Sequence, residues 1–165
     1  MYLRVRKQNN FERENLFMKK FLTYIIDDNN YVNYVRHIND DEPTARQNFK
    51  REFEEFLQYP ECDIYYIKLA EVDLTDIELK VLESYDESAI SELLNELDQR
   101  ADIIEEYSGE DAGNCFIEGF YFDKIGRDEY LADENYFEMM TELRNNDEEE
   151  YIKLVKEFVN LQIDD

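Results

Sequence analysis

Apolar residues along this chain repeat with two different periods, and the changes of period mark out its elements. The run KFLTYII at residues 20–26 is continuous, β-branched and aromatic, and it stops at Asp27-Asp28-Asn29-Asn30, which predicts a buried strand followed by a turn. Tyr31, Tyr34, Val35 and Ile38 then fall on one helical face. Asp41-Glu42-Pro43 starts the next helix, because a proline in the first turn forfeits no hydrogen bond. Ala45, Phe49, Phe53, Phe56 and Leu57 form its inner side, and Tyr59-Pro60 ends it. Residues 63–72 (DIYYIKLAEV) read as a second strand and residues 115–123 (CFIEGFYFD) as a third, with Gly119 marking a bulge or a close approach.

Between the second and third of these strands the pattern is helical. Thr75-Asp76-Ile77-Glu78 fits a capping box, with Leu74 and Leu79 placed for the hydrophobic staple, and Ile77, Val81, Leu82 and Tyr85 give the helix an apolar side. Asp86 caps a second helix spanning 86–107, whose Ile90, Leu93, Leu94, Leu97, Ala101 and Ile104 keep the spacing of one inward face. Near the end of the chain, Tyr136, Phe137, Met140 and Leu143 space one helix. Tyr151, Ile152, Val155, Phe158 and Val159 space another, with Asn146 and Glu149 resembling its capping box. Strands and helices in mixed order, with no internal repeat and no low-complexity linker, predict an α+β domain. It should hold a small antiparallel or mixed sheet of about three strands covered by about five helices, the acidic helices lying in the C-terminal half.

The 165 residues carry 42 Asp or Glu against 18 Lys or Arg, a net charge of −24. Residues 1–70 account for only −1 of it and residues 71–165 for −23, so the acidity is localised, whereas adaptation to high salt would spread it over the whole surface. With 43% hydrophobic residues, 13 Tyr and 11 Phe, the chain has the material for a core that a disordered acidic tail lacks. Such a charge repels phosphate, which argues against nucleic acid and anionic lipid as direct ligands and points to basic partners. No apolar run approaches the length of a membrane span and no cleavable signal pattern is visible, so a cytoplasmic location is expected.

Residues 1–17 differ from everything after them: they hold four basic residues and neither periodicity nor a cap, and Met18-Lys19-Lys20 resembles a second start. They are expected to form a leader or an N-terminal extension ahead of a single acidic domain over 18–165. Cys62 and Cys115 are too few for a disulfide framework and read as reduced thiols, and His37, the one histidine, has no partners for a metal site or a triad. The chain contains no phosphate-binding glycine loop, no nucleophile elbow, no zinc-helix motif and no calcium-loop spacing. No enzymatic activity, metal or cofactor is expected.

What is left is the acidic stretch itself. Residues 71–111 hold fifteen Asp or Glu against Lys80 and Arg100, net −13. On a helix through 86–107, Glu92 and Glu96 stand four apart, as do Asp98, Asp102 and Glu106; like charges at that spacing cost a few tenths of a kcal/mol each. A helix shaped by stability alone would alternate Glu with Lys. The best contact candidates are therefore Glu92, Glu96, Asp98, Asp102, Glu105 and Glu106, flanked by Asp76, Glu83, Glu87, Glu110 and Asp111. In composition and layout, though in no motif, the chain resembles the small acidic DNA-mimic inhibitors that phages and mobile elements use against restriction, CRISPR or repair enzymes. That likeness implies a basic nucleic-acid-binding protein, such as a nuclease or a restriction or CRISPR effector, as partner. An immunity or antitoxin-like protein against a basic toxin, or a plain acidic interaction module, would carry the same charge.

Overall fold

The computed structural model describes residues 17–27, 33–59, 65–126 and 136–163. The expected N-terminal leader lies outside them apart from Phe17, as do Tyr31 and Cys62. The fold is α+β. Strands β1 (Met18–Asp27), β2 (Tyr34–Asn39), β3 (Tyr65–Leu74) and β4 (Asp102–Ser108) form an antiparallel sheet in the order β2-β1-β3-β4. Helix α1 (Glu42–Gln58) follows β2, and α2 (Asp76–Leu82) and α3 (Glu87–Arg100) lie between β3 and β4. After β4 come α4 (Gly109–Phe116), a π-helical segment (Ile117–Tyr121), α5 (Phe122–Ile125), α6 (Tyr136–Asn146) and α7 (Glu148–Gln162).

Successive strand residues point to opposite sides, and here both sides are covered. Phe21, Ile67 and Leu69 pack with α1, α4, the π segment, α6 and α7 around Phe49, Phe53, Phe116, Tyr151 and Phe158. Leu22, Tyr24, Ile26, Ala70, Val72 and Leu74 face the other way, against Leu82 of α2 and Leu94 and Leu97 of α3. This double burial explains why KFLTYII and DIYYIKLAEV are nearly continuous apolar runs instead of alternating ones.

The helix starts follow from side-chain chemistry. Asp41 accepts from the Thr44 N–H, Thr75 and Glu78 form the reciprocal capping box, and Asp86 accepts from the Ala89 N–H. The expected inner side of α1 is buried in full, at Ala45, Phe49, Phe53, Phe56 and Leu57. The last helix is capped one residue later than expected, by Asp147 accepting from Glu150.

Three expectations are corrected. Residues 34–39 form a strand instead of a helical face; Tyr34 and Arg36 alternate with the less exposed Val35 and His37, a period of two. Residues 115–123 are helical instead of a strand: Ser108 caps α4, and Ala112, Phe116, Ile117, Phe120 and Tyr121 make a helical stripe in which each aromatic meets the next turn. That helical run closes at Gly126, which takes a left-handed backbone (φ 73°) suited to glycine. Finally, the helix expected over 86–107 stops at Arg100. Ala101 is extended, and residues 102–108 pair with β3 as an edge strand, turning Ile104 to the α1 side of the sheet.

Candidate functional site

Ending α3 at Arg100 divides the expected contact residues. Relative to Ser91, Leu94 and Leu97, which are buried, Glu92 and Glu96 lie on the opposite side of α3 and are exposed. Glu83, the C-cap residue of α2, and Glu87, in the first turn of α3, are exposed as well. The cations within 71–111 are already engaged. Lys80 lies 3.1 Å from Asp76, and Arg100 bonds both Glu78 carboxylate oxygens at 2.8 Å and the Asp73 carbonyl. Burial raises the Glu78 carboxyl, but the Thr75 N–H and the Arg100 guanidinium outweigh it and hold the group below the usual carboxylate range. Among the described residues, Glu83, Glu87, Glu92 and Glu96 have no ion-pair partner. They form an un-neutralised outer surface on the α2–α3 layer.

Asp98, Glu105 and Glu106 do not belong to that surface. Asp98 sits one turn beyond Leu94, on the inward side of α3, where it accepts from the Tyr24 hydroxyl at 2.6 Å and from Lys68 Nζ at 3.0 Å to each oxygen. Lys68 is 9% exposed and has Glu106 of β4 as a second carboxylate at 3.5 Å. Tyr24, Lys68 and Glu106 are cross-strand neighbours on one face of the sheet, so β1, β3, β4 and α3 all meet in this cluster. Burial, reinforced by the bond to Asp98, pushes the Tyr24 hydroxyl far above its usual range. Glu105 accepts from Arg46 Nη1 of α1 at 3.3 Å and from the Tyr107 hydroxyl at 3.3 Å. The row Asp98, Asp102, Glu106 expected on one helix therefore does not exist. Asp102 starts β4, exposed; Glu110 and Asp111 are exposed in the first turn of α4, behind the Ser108 cap.

Two further polar groupings lie beside surface cavities. His37 Nε2 lies 2.9 Å from Glu52, which also faces Arg36, at the margin of a 440 Å³ surface cavity lined by Ile25, Phe56 and Tyr59. Cys115 is exposed beside a 260 Å³ cavity with Tyr107, Asp111 and Phe158. Burial, then Glu105, pushes the Tyr107 hydroxyl up to about 12. Among the described residues no group of three His, Cys, Asp or Glu side chains is arranged to hold a metal ion, and no helix is long and apolar enough to cross a membrane.

Sequence reasoning passed over two sets of residues. Lys68 is a lone cation inside an apolar strand, and that isolation was the available signal for a buried ion pair. Of Ile77, Val81, Leu82 and Tyr85, expected to form the apolar side of α2, Leu82 is buried, whereas Ile77 and Tyr85 are 75% and 101% exposed; Leu79 joins Leu82 on the inner side. Comparison of the chain with protein-family models, with curated proteins and with solved structures finds no match.

Proposed function

We propose that this chain is a non-enzymatic binding protein that covers the basic surface of a nucleic-acid-binding enzyme with its α2–α3 layer and so keeps nucleic acid off that surface. The observation that carries the reading is the set Glu83, Glu87, Glu92 and Glu96: exposed, un-neutralised, and mounted on two side-chain-capped helices packed onto the sheet. Clustered like charge opposes compaction, and a surface that keeps it gains steering and selectivity toward a cationic partner. Mounting the charges on rigid helices lowers the ordering cost of binding. Carboxylates four apart on a helix stand about 6 Å apart along its axis, a spacing a phosphate-binding channel accommodates, since duplex DNA carries one charge per about 1.7 Å over both strands.

A second reading, neutralisation of a basic toxin without imitation of nucleic acid, is favoured by one observation. Ile77 and Tyr85 expose apolar surface among the carboxylates, as a protein-recognising patch does. Competition separates the two. Under the first reading duplex DNA and this protein exclude each other from the partner, and the variant with Glu83, Glu87, Glu92 and Glu96 all changed to Lys loses binding while keeping its fold. Under the second, binding is lost in the same variant but DNA does not compete.

A further inference from the structure

We propose that the turn joining α2 to α3, with Tyr85 in it and Ile77 and Val81 on the outer side of α2, is the apolar anchor of the interface, and that the partner presents an apolar spot rimmed by Lys and Arg. This rests on the binding reading above and adds what the grip consists of. Ile77, Val81 and Tyr85 follow one another at intervals of four, and the first two lie opposite the Leu79 and Leu82 side that packs on the sheet. A lone exposed apolar residue on a protein surface is ordinary. Here two strongly exposed ones, Ile77 and Tyr85, flank the half-buried Val81 in sequence, on backbone that is pinned. The Ser84 hydroxyl donates to the Val81 carbonyl at 2.6 Å and accepts from the Asp86 N–H at 3.3 Å, and the Glu83 N–H donates to Leu79 at 3.0 Å. At its far end the turn is closed by Asp86 accepting from the Ala89 N–H at 3.1 Å. Tyr85, 101% exposed, is thus held out on a fixed turn, and an aromatic with few free torsions loses little entropy when a partner covers it.

Charge selects the occupant. Asp76, Glu83, Asp86 and Glu87 are exposed around the anchor, and the two cations near it among the described residues are engaged, Lys80 by Asp76 and Arg100 by Glu78. A second copy of this chain would bring the same carboxylates against themselves, and an anionic lipid surface would be repelled. A cationic rim around an apolar spot complements both features, with the aromatic at the centre of the contact and charge at its edge.

The full-length chain, isotope-labelled for NMR, is titrated with two synthetic helical peptides of equal length and charge, one of Lys and Leu with an apolar face, the other with Ser in place of Leu. The expected result is that the Lys/Leu peptide shifts the amides of Ile77, Val81 and Tyr85 and binds about tenfold more tightly than the Lys/Ser peptide. Changing Ile77→Ser and Tyr85→Ser together should erase that preference with the melting temperature unmoved. Changing Glu83, Glu87, Glu92 and Glu96 to Gln should weaken both peptides alike. The anchor is overturned if the Ile77→Ser/Tyr85→Ser variant keeps the preference, if the shifts map to Ile103 or Leu161 instead, or if sedimentation shows a dimer closed through this face. Equal binding of both peptides with Tyr85 silent defeats the anchor alone; binding of neither defeats the acidic-surface reading along with it.

Discussion

Changing Asp98 to alanine separates architecture from recognition, because sequence spacing groups Asp98 with Glu92 and Glu96 while the fold turns it the other way. The Lys68 side chain is 11% exposed and that of Asp98 23%, and Asp98 also accepts from Tyr24. Removing one partner of a buried pair costs about 3–5 kcal/mol, since the other charge stays behind in poor solvent. The stranded Tyr24 hydroxyl adds about 1–3 kcal/mol. Against this, Glu106 remains 3.5 Å from Lys68, on a side chain 45% exposed, and recovers part of the attraction. The balance is a loss of about 3 kcal/mol, which for a chain of this length lowers the melting temperature by about 6–12 °C. Glu92→Ala, on the outer side of the same helix, should stay within about 0.5 kcal/mol. Urea unfolding followed by circular dichroism measures both, as a moved midpoint at unchanged slope. A double-mutant cycle with Lys68→Met should show a coupling of about 1 kcal/mol or more. A loss below about 1 kcal/mol for Asp98→Ala, or an equal loss for Glu92→Ala, refutes the division of the acidic residues made here.

Other consequences are as direct. Leu94, fully buried between α3 and the sheet, should cost about 2–5 kcal/mol when changed to Ala, again read by urea unfolding. Tyr107 is held at about 12 in the fold against 10.0 ordinarily, and Tyr24 and Tyr151 are raised too, so the folded protein keeps protons that the unfolded chain releases. The contribution of Tyr107 is full below pH 10 and is lost as pH rises from 10 toward 12, and those of Tyr24 and Tyr151 continue to fall beyond that. Tyrosinate absorbance should therefore show these groups ionising together with unfolding, and Tyr107→Phe should lessen the alkaline loss. Glu78 behaves in the opposite sense. Its depressed carboxyl contributes above its ordinary 4.5 and the contribution disappears as pH falls below it, so Glu78→Gln should flatten the acid limb of the stability profile. Pure protein should leave free duplex DNA unshifted in a mobility assay at physiological salt, because like charges repel.

The parts of the fold written in local chemistry were legible in the sequence. Thr75 with Glu78, Asp86, Asp41 with Pro43, and the five apolar residues of α1 announce their elements through caps and spacing alone. What was not legible depended on tertiary context. Residues 101–108 continue the apolar spacing of α3, and only the open edge of β3 draws them out as a strand. Residues 115–123 are rich in β-forming aromatics, yet their spacing lets Phe116, Phe120 and Tyr121 interlock with Tyr151 and Phe158 as a helix. The candidate surface follows the same division. Glu92 and Glu96 lie on the part of α3 that its cap and leucines define, and both are exposed. Asp98, Glu105 and Glu106 lie where the chain changes from helix to strand, and their partners Lys68 and Arg46 come from elements at least 30 residues away in sequence, beyond the reach of any helical period.

Competition on a captured partner distinguishes a protein that occupies a nucleic-acid site from one that binds elsewhere. The parent chain and the variant with Glu83, Glu87, Glu92 and Glu96 all changed to Lys are immobilised in parallel, exposed to cell lysate, washed, and challenged with duplex DNA. Bound and released proteins are then identified by mass spectrometry. The expected capture is a nucleic-acid-binding protein that the parent retains, the variant does not, and duplex DNA releases. If parent and variant retain the same proteins, or if duplex DNA joins the captured protein without displacing it, the acidic layer does not occupy a nucleic-acid site.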